Sequence, residues 1–236
     1  MKGRGIVLAV SIVGALAAPA AAQSRMHWYD APADVPQITL RPFVDVRAEA
    51  FTASRTFDAV FGSRSAPFWG GGLQVLAGHG RFYGEVGASR LLRKNGELVG
   101  SRAFVNDGVA YQLGIPLRAT IRPIEVVGGY RFNVSPRLVP YIGAGVGHYR
   151  YTEQSDFAEP AENVNISHVG GIFQAGAEVR LHRWIGVAGD AHYTHIPDIL
   201  GVNGVSQQFA AATGSSAARE KDLGGWAARM KVVVGR

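Results

Sequence analysis

The sequence predicts an all-β protein, an eight-stranded antiparallel up-and-down β-barrel that crosses a membrane. Three observations lead to this prediction. Eight segments alternate between apolar and polar side chains, which is the period of a strand with two different faces. Short and long connections alternate between these segments. Charged residues of both signs fall on one face of the segments and aliphatic residues on the other.

The N-terminus has the features of a secretory signal peptide over residues 1–22. Two basic residues precede an apolar stretch, and small residues form a cleavage site before Gln23. The apolar stretch is shorter than the about 20 residues that a spanning helix needs. We therefore expect an exported protein, in which residues 23–40 form a periplasmic lead-in to a barrel domain over residues 41–236.

Composition limits the function classes. The formal net charge is +6, and the 24 Lys and Arg residues are scattered through the chain, so we expect no nucleic-acid partner. The chain has no cysteine and therefore no disulfide framework. Its 31 glycines lie inside β-like segments, where glycine permits close approach of neighbouring strands and sharp curvature.

The segments and their connections have the dimensions of a membrane barrel. The predicted strands are 43–51, 68–77, 81–92, 115–132, 140–151, 168–181, 184–195 and 225–234. The short connections are 78–80, 133–137 and 182–183, and the long ones are 52–67, 93–114, 153–167 and 196–224. Strands of about ten residues with short turns at one end and long loops at the other are typical of outer-membrane barrels. The alternation breaks at Pro123, which predicts a bulge or an edge-like irregularity there.

The two faces have different predicted environments, with lipid outside and a polar lumen inside. The predicted lipid-facing residues are Val44, Val46, Ala48, Ala50, Val169, Phe173, Val179, Ile185, Val187, Trp226, Val232 and Val234. The predicted lumen charges are Asp45, Arg47, Glu49, Glu85, Glu178, Arg180, Asp190, Arg229 and Lys231. The aromatic residues expected at the membrane interfaces are Trp69, Tyr141, Trp184 and Trp226.

Residues 140–151 show why glycine is abundant. Glycines and tyrosines share one parity of this segment, and Ile142, Ala144 and Val146 share the other. A small barrel has little interior space, so we expect the glycines to make room for neighbours on the inner face. The aliphatic residues would then face outward.

The hairpin GGYRFNVSPRLVPYIGAGVGHYRY (128–151) resembles the YRF–turn–PYxGAGxGxYxY signature of the small outer-membrane β-barrel superfamily, which includes OmpA-transmembrane-like and opacity-porin-like proteins. The resemblance implies a monomer in the outer membrane, in contact with outer-membrane lipid and inserted by the outer-membrane assembly machinery. The family usually ends on an aromatic residue, whereas this chain ends VVVGR.

We expect no catalytic residues, no metal site and no cofactor. Asp190, His192 and Thr194 share a strand face, and an outer-membrane lipid A deacylase of this barrel size uses a His-x-Ser pair with a carboxylate. Nucleophilic catalysis needs a base in hydrogen-bond reach of the hydroxyl, which the spacing on a strand does not imply, so we expect the three residues to form an ordinary lumen hydrogen-bond network. His192 and His195 lie on opposite strand faces and cannot share a metal ion.

The sequence favours a non-enzymatic barrel with a structural, surface-interaction or narrow-pore role, because side chains fill an eight-stranded interior. The long loops, with Phe157 and Phe209, are where an extracellular ligand would bind; we expect the loop charges Glu153 and Asp198 to be unpaired. One alternative is a lipid-modifying barrel enzyme with His192 as its base. The other is a soluble exported lipocalin-like barrel, whose aliphatic face would point inward to an apolar ligand.

Overall fold

A computed structural model describes residues 38–107, 109–157, 163–200, 205–214 and 220–235. The predicted signal peptide and residues 23–37 of the predicted lead-in lie outside the described residues. The strands are β1 Ile38–Phe51, β2 Ser65–Ala77, β3 Phe82–Leu91, β4 Leu98–Asn106, β5 Val109–Arg131, β6 Leu138–Gln154, β7 Val164–His182, β8 Ile185–Ile196 and β9 Leu223–Val234. The helices are α1 Ser54–Phe61 and α2 Val205–Ala212, with a 3-10 turn at Lys94–Gly96. Within these ranges, no helix has the length and apolar character to span a membrane.

Eight of the strands close into an antiparallel barrel. The sheet order is β3-β2-β1-β9-β8-β7-β6-β5-β4, and an additional pairing of β3 with β5 closes the ring. Strand β4 is outside this ring because it pairs with β5 beyond the point where β3 ends. The predicted all-β, eight-stranded fold is confirmed. Its first strand begins at Ile38, three residues before the predicted start of the barrel.

The long connection predicted over residues 93–114 is largely a β-hairpin, formed by β4 and the first part of β5. Strand β5 has 23 residues, about twice what a barrel strand needs to cross a bilayer, and its first part pairs with β4 as a hairpin. The inner side of this hairpin packs on both helices through Val60, Leu117 and Val205, with Phe209 partly buried beside them. This packing gives the hairpin the hydrophobic contact that an isolated two-stranded ribbon lacks.

Of the two irregularities expected at Pro123, there is no bulge, but β5 is locally an edge on one side. The β5–β6 register is continuous through the Pro123–Tyr149 pair, and the inner and outer parity of β5 is kept on both sides of the proline. Pro123 lies in the gap between the β3-paired and β4-paired parts of β5, where the missing N–H breaks no ladder on that side. The register shift of the hairpin lies instead between Ser101 and Ala103.

On the inner face, tyrosine side chains pack closely against glycines. A Cβ atom at Gly143 would lie 2.1 Å from the Tyr83 hydroxyl oxygen, and one at Gly129 would lie 2.5 Å from the Tyr83 ring. A Cβ atom at Gly147 would lie 2.6 Å from the ring of Tyr149. The glycines therefore leave the space that the buried tyrosine rings occupy.

We predict that Gly143→Ala lowers the free energy of unfolding by about 1–3 kcal/mol, because the added methyl group overpacks the contact with Tyr83. Gly189→Ala is the matched control, since a Cβ atom there meets no atom within 4 Å. Urea unfolding in lipid vesicles, followed by heat-modifiable gel mobility, measures both. The loss of unfolding free energy caused by Gly143→Ala should be smaller in a Tyr83→Phe background. An equal loss for Gly143→Ala and Gly189→Ala would contradict the packing explanation.

Candidate functional site

The lumen holds a nearly neutral set of charged side chains. Its cations are Arg41, Arg47, Arg131, Arg229 and Lys231, all buried. Its carboxylates are Asp45, Glu49, Glu85, Glu125, Glu178 and Asp190, of which Asp45 and Glu125 are half-buried. A charge in this interior is stable only when a partner replaces the water it has lost, so the contacts within the set decide its stability.

Glu178 organises the charges at the turn end of the lumen. Its carboxylate accepts hydrogen bonds from Arg41 at 2.6 and 3.0 Å and from Arg131 at 2.7 Å. Arg41 also donates to the side-chain oxygen of Gln74 at 3.1 Å. Arg180, which we predicted in the lumen, is exposed at the rim, with its Nε 3.9 Å from Glu178.

Arg229 and Lys231 of β9 organise the middle of the lumen. Arg229 donates to Asp190 at 3.0 Å and to the side-chain oxygen of Gln174 at 2.7 Å. Lys231 donates to Glu85, which also accepts from Gln74 at 2.8 Å. Two residues apart on one strand, these cations reach carboxylates on β3 and β8 and thereby tie opposite walls of the barrel together.

Arg47 organises the charges nearest the loop end. It donates to both carboxylate oxygens of Glu125, at 2.9 and 3.0 Å, and lies 3.6 Å from Glu49. The Tyr149 hydroxyl also donates to Glu125, at 3.0 Å. Such a two-bond arginine–carboxylate pair fixes geometry as well as charge. The Arg47 guanidinium also lies 4.9 Å from the ring centre of Phe68, which belongs to an apolar cluster at the loop end of the lumen.

An apolar plug closes the lumen at the loop end. Phe57 of α1 is buried there and stacks on Phe51 with ring centres 4.0 Å apart. The strand residues around it are Phe51, Ala66, Phe68, Leu91, Leu98, Ala119, Ile121, Tyr149, Tyr151, Ile196 and Leu223. The connection between α2 and β9 fixes the position of α1. Its Glu220 carboxylate accepts hydrogen bonds from the backbone N–H groups of Arg55 and Thr56, at 3.1 and 2.9 Å.

One small cavity lies between these groups. It has a volume of about 20 Å³ and lies beside Asp45, Ser89, Glu125 and Arg229. That is room for about one water molecule. Asp45, a predicted lumen charge, borders this cavity and makes no hydrogen bond or ion pair with another described residue.

The geometry separates the three residues that raised the catalytic alternative. Asp190 is held by Arg229 and accepts from the Tyr141 hydroxyl at 2.6 Å. The Thr194 hydroxyl donates to Glu49 at 3.3 Å. His192 is fully buried, with its Nε2 3.8 Å from Glu125, and neither ring nitrogen has a hydrogen-bond partner in the described part of the chain. The Thr194 hydroxyl is therefore bonded to Glu49, and His192, the base of the catalytic alternative, is not in hydrogen-bond contact with it.

Metal ligands do not converge in this lumen either. Within the ranges that the structure describes, no three His, Asp or Glu side chains are grouped so that they could hold a metal ion.

The outer face is apolar. All twelve predicted lipid-facing residues lie on it, and each is exposed except Val187, which is half-buried. Trp69, Trp184 and Trp226 are also exposed on this face. The expectation that Tyr141 belongs to an interfacial belt was wrong, because it lies on the inner face and is only 4% exposed.

Two loop charges and one loop aromatic residue also differ from their predicted state. Glu153 accepts a hydrogen bond from Tyr151, and Asp198 lies 3.7 Å from the Lys221 ammonium group, so neither is unpaired. Phe209 is partly buried against the hairpin, whereas Phe157 is exposed.

Sequence reasoning missed three members of the lumen network. Arg41 shares the parity of Asp45 and Arg47, so extending the first predicted segment by two residues would have included it. Glu125 and Arg131 follow Pro123 on the inner parity of β5. The assumed break at Pro123 removed the parity signal that would have identified them.

A family model described as "Outer membrane protein beta-barrel domain" matches residues 7–215. The chain belongs to this family. It is therefore an outer-membrane β-barrel, and the resemblance seen in the 128–151 hairpin is confirmed. The aliphatic outer face is the surface that such a barrel presents to lipid.

Solved structures of small outer-membrane barrels are similar to the described chain. Neisserial surface protein A is 10% identical with a TM-score of 0.46, and the match covers 84% of this chain and 97% of that one. OprG from Pseudomonas aeruginosa is 12% identical with a TM-score of 0.45, covering 84% and 95%. Ail of Yersinia pestis is 10% identical with a TM-score of 0.43, covering 84% and 97%. No curated protein matches the chain. Because these TM-scores are below 0.5, the fold and family conclusions depend on the strand topology and the family model.

We predict that Glu178→Ala lowers the free energy of unfolding by about 3–5 kcal/mol, because it leaves Arg41 and Arg131 buried without their carboxylate. Asp58→Ala breaks the Arg64–Asp58 pair, whose side chains are 70% and 43% exposed, and should cost about 0–1 kcal/mol. Urea unfolding in vesicles compares the two variants. Equal losses would show that the lumen network does not stabilise the barrel.

Proposed function

We propose that this protein is a non-enzymatic, non-conducting outer-membrane barrel that holds a folded subdomain at the cell surface. The observation that carries the proposal is the closed lumen. Three ion-pair clusters occupy its length, and the apolar plug around Phe57 closes its loop end. Of the structural, surface-interaction and narrow-pore roles, this geometry favours the first two.

The plug disfavours ion conduction for an electrostatic reason. An ion leaving the charged clusters would have to cross a layer of Phe51, Phe57, Phe68 and Leu91 side chains without water. Moving an unpaired charge into such a layer is strongly unfavourable. The pairing of almost every lumen charge with an opposite charge also leaves no row of like charges to attract a permeating ion.

The surface subdomain consists of α1, α2, β4 and the β4-paired part of β5. Its parts are joined by side-chain contacts as well as by the apolar cluster around Leu117. The side-chain oxygen of Gln208 accepts from the backbone N–H of Val105 at 3.0 Å, and the Gln112 amide donates to the Ala59 carbonyl at 3.2 Å. A loop region that is folded on a rigid barrel is suited to present a binding surface.

The outward face of the β4–β5 hairpin is the part of this subdomain where we expect an extracellular ligand to bind. Phe104 and Tyr111 stack across the two strands with ring centres 5.6 Å apart and remain 40% and 47% exposed. Val99, Val109 and Leu113 are also exposed on the hairpin. Exposed apolar clusters of this kind are typical of interaction surfaces.

Processing and assembly follow from the same proposal. We infer that residues 1–22 are removed on export, that the outer-membrane assembly machinery inserts the barrel, and that the loop end faces outward. We also infer that the protein is a monomer, because closure of β3 on β5 leaves the barrel itself without an unpaired edge strand.

The two alternative functions are less well supported. A lipocalin-like ligand barrel needs its aliphatic face inside, whereas Val44, Val46 and Phe173 are exposed on the outer face. A lipid-modifying enzyme with His192 as its base needs access to substrate, whereas His192 is fully buried.

We predict that the refolded protein gives no single-channel steps in a planar bilayer, because the plug and the ion pairs close the lumen. A general porin in the same membrane is the positive control, and heat-modifiable gel mobility shows that the tested protein is folded. Reproducible steps whose ion selectivity changes in Glu85→Gln, but not in the exposed-site variant Asp58→Asn, would show a pore through the lumen and contradict the proposal.

The orientation can be tested by cysteine labelling, since the chain has no natural cysteine. Asn106→Cys lies at the end of the hairpin and Arg81→Cys lies in the short turn before β3, both exposed. With a maleimide reagent too large for porins, we predict labelling of Asn106→Cys in intact cells and of Arg81→Cys only after the outer membrane is opened. The reverse order would place the loop end in the periplasm.

A further inference from the structure

Three arginines form a row across the outer face of β3, β5 and β6. Arg122 and Arg150 are direct partners in the β5–β6 register. Arg90 lies two residues beyond Ala88, where the pairing of β3 with β5 ends at Ile124, and continuing that register would place it at the level of Arg122. All three side chains are on the outward parity and are exposed.

The charges of this row are not neutralised by the described part of the chain. None of its residues places a carboxylate in an ion pair with Arg90, Arg122 or Arg150, although other surface arginines such as Arg64 and Arg118 do have such partners. Like charges directly opposite each other on neighbouring strands are destabilising. The row therefore forms an exposed positive surface, and an anion from outside the described chain would relieve its repulsion.

Two contacts hold the row in an ordered arrangement. The Arg150 Nε donates to the side-chain oxygen of Asn165 at 3.0 Å. The Arg90 guanidinium lies 5.0 Å from the ring centre of Trp69, which is itself exposed on the outer face. Guanidinium groups that are oriented in this way keep their remaining N–H donors free for an oxyanion.

The position of the row identifies the kind of anion. On its turn-end side, the same strands present Ile124, Val126 and Val146, which are 54%, 54% and 58% exposed. Val169 continues this apolar surface next to His148 in the β6–β7 register. A molecule that packs hydrocarbon chains on these residues would place its headgroup at the arginines.

We propose that Arg90, Arg122 and Arg150 bind the phosphate of an anionic lipid in the leaflet at the loop end, with its acyl chains on the Ile124–Val146 surface. The forked guanidinium group matches a phosphate with two parallel hydrogen bonds, and in an anionic lipid no ammonium group of the same headgroup cancels the phosphate charge, as it does in a zwitterionic lipid. This lipid contact is separate from the proposed surface display and does not depend on whether the lumen conducts.

The test measures lipid selectivity at the barrel surface. The full chain is reconstituted in phosphatidylcholine vesicles with spin-labelled phosphatidic acid or spin-labelled phosphatidylcholine, and electron spin resonance gives their relative association with the protein. We expect wild type to prefer phosphatidic acid by roughly fivefold, the factor for about one arginine at an anionic headgroup. Arg122→Gln with Arg150→Gln should lower this ratio towards one, because only Arg90 of the row remains.

The control is Arg55→Gln with Arg64→Gln, which removes the same charge from exposed positions in the connection between β1 and β2. This double variant should keep the wild-type preference. A preference that survives in Arg122→Gln with Arg150→Gln, or that disappears equally in the control, would overturn the proposal. Unchanged heat-modifiable mobility identifies folded samples, and loss of the repulsive pair should leave stability in pure phosphatidylcholine equal or higher.

A second experiment distinguishes a bound lipid from a free anion. Inorganic phosphate is added to wild type folded in a zwitterionic detergent, and the urea midpoint is measured. We expect no shift, because the site gains its affinity from acyl chains and phosphate together. A rise in the midpoint that vanishes in Arg122→Gln with Arg150→Gln would show that a soluble anion occupies the row and would overturn its assignment to a lipid.

Discussion

The narrow interior of an eight-stranded barrel is the constraint on which the rest of this structure depends. Little water fits inside, so each inward side chain must find its partner on another strand. Large rings are accommodated by glycine on the facing strand, as Tyr83 is by Gly129 and Gly143. Charges are accommodated by opposite charges, as Glu178 is by Arg41 and Arg131. The high glycine content and the balanced lumen charges are thus two solutions to the same shortage of space.

The change of inner-face chemistry along the strands links the lumen to the surface subdomain. Charged clusters occupy the part of the barrel that crosses the membrane, and apolar residues replace them at the loop end. That apolar end gives Phe57 a place to bury, which anchors α1 over the mouth. The helix and the extension of β5 then provide the surface on which β4 and α2 pack. The plug is therefore both the closure of the lumen and the base of the subdomain.

The sequence predicted the parts of the structure in which each strand has two different environments. Period-two alternation located all eight barrel strands, because one face meets lipid and the other meets the polar lumen. It could not identify β4, whose two faces do not differ enough in hydrophobicity, since the helices that cover it come from distant loops. Glu125 and Arg131 were lost for another reason: a proline was taken to interrupt the alternation, whereas the local gap between β3 and β4 accommodates it without a bulge. Tyr141 has an aromatic ring near a strand end, but it has the inner parity of β6, and its hydroxyl donates to Asp190 inside the lumen.

The comparison of inner and outer arginines shows which charges belong to the fold. Each buried arginine contacts a carboxylate on another strand, because it could not be buried otherwise. Arg122 and Arg150 are under no such requirement, since water or a headgroup can solvate them, and the chain could have placed a carboxylate opposite one of them at little cost. Instead, Arg122 and Arg150 are partners in the β5–β6 register, at the edge of the exposed apolar surface that begins at Ile124. A bound lipid phosphate, as proposed above, would relieve the repulsion between these two arginines.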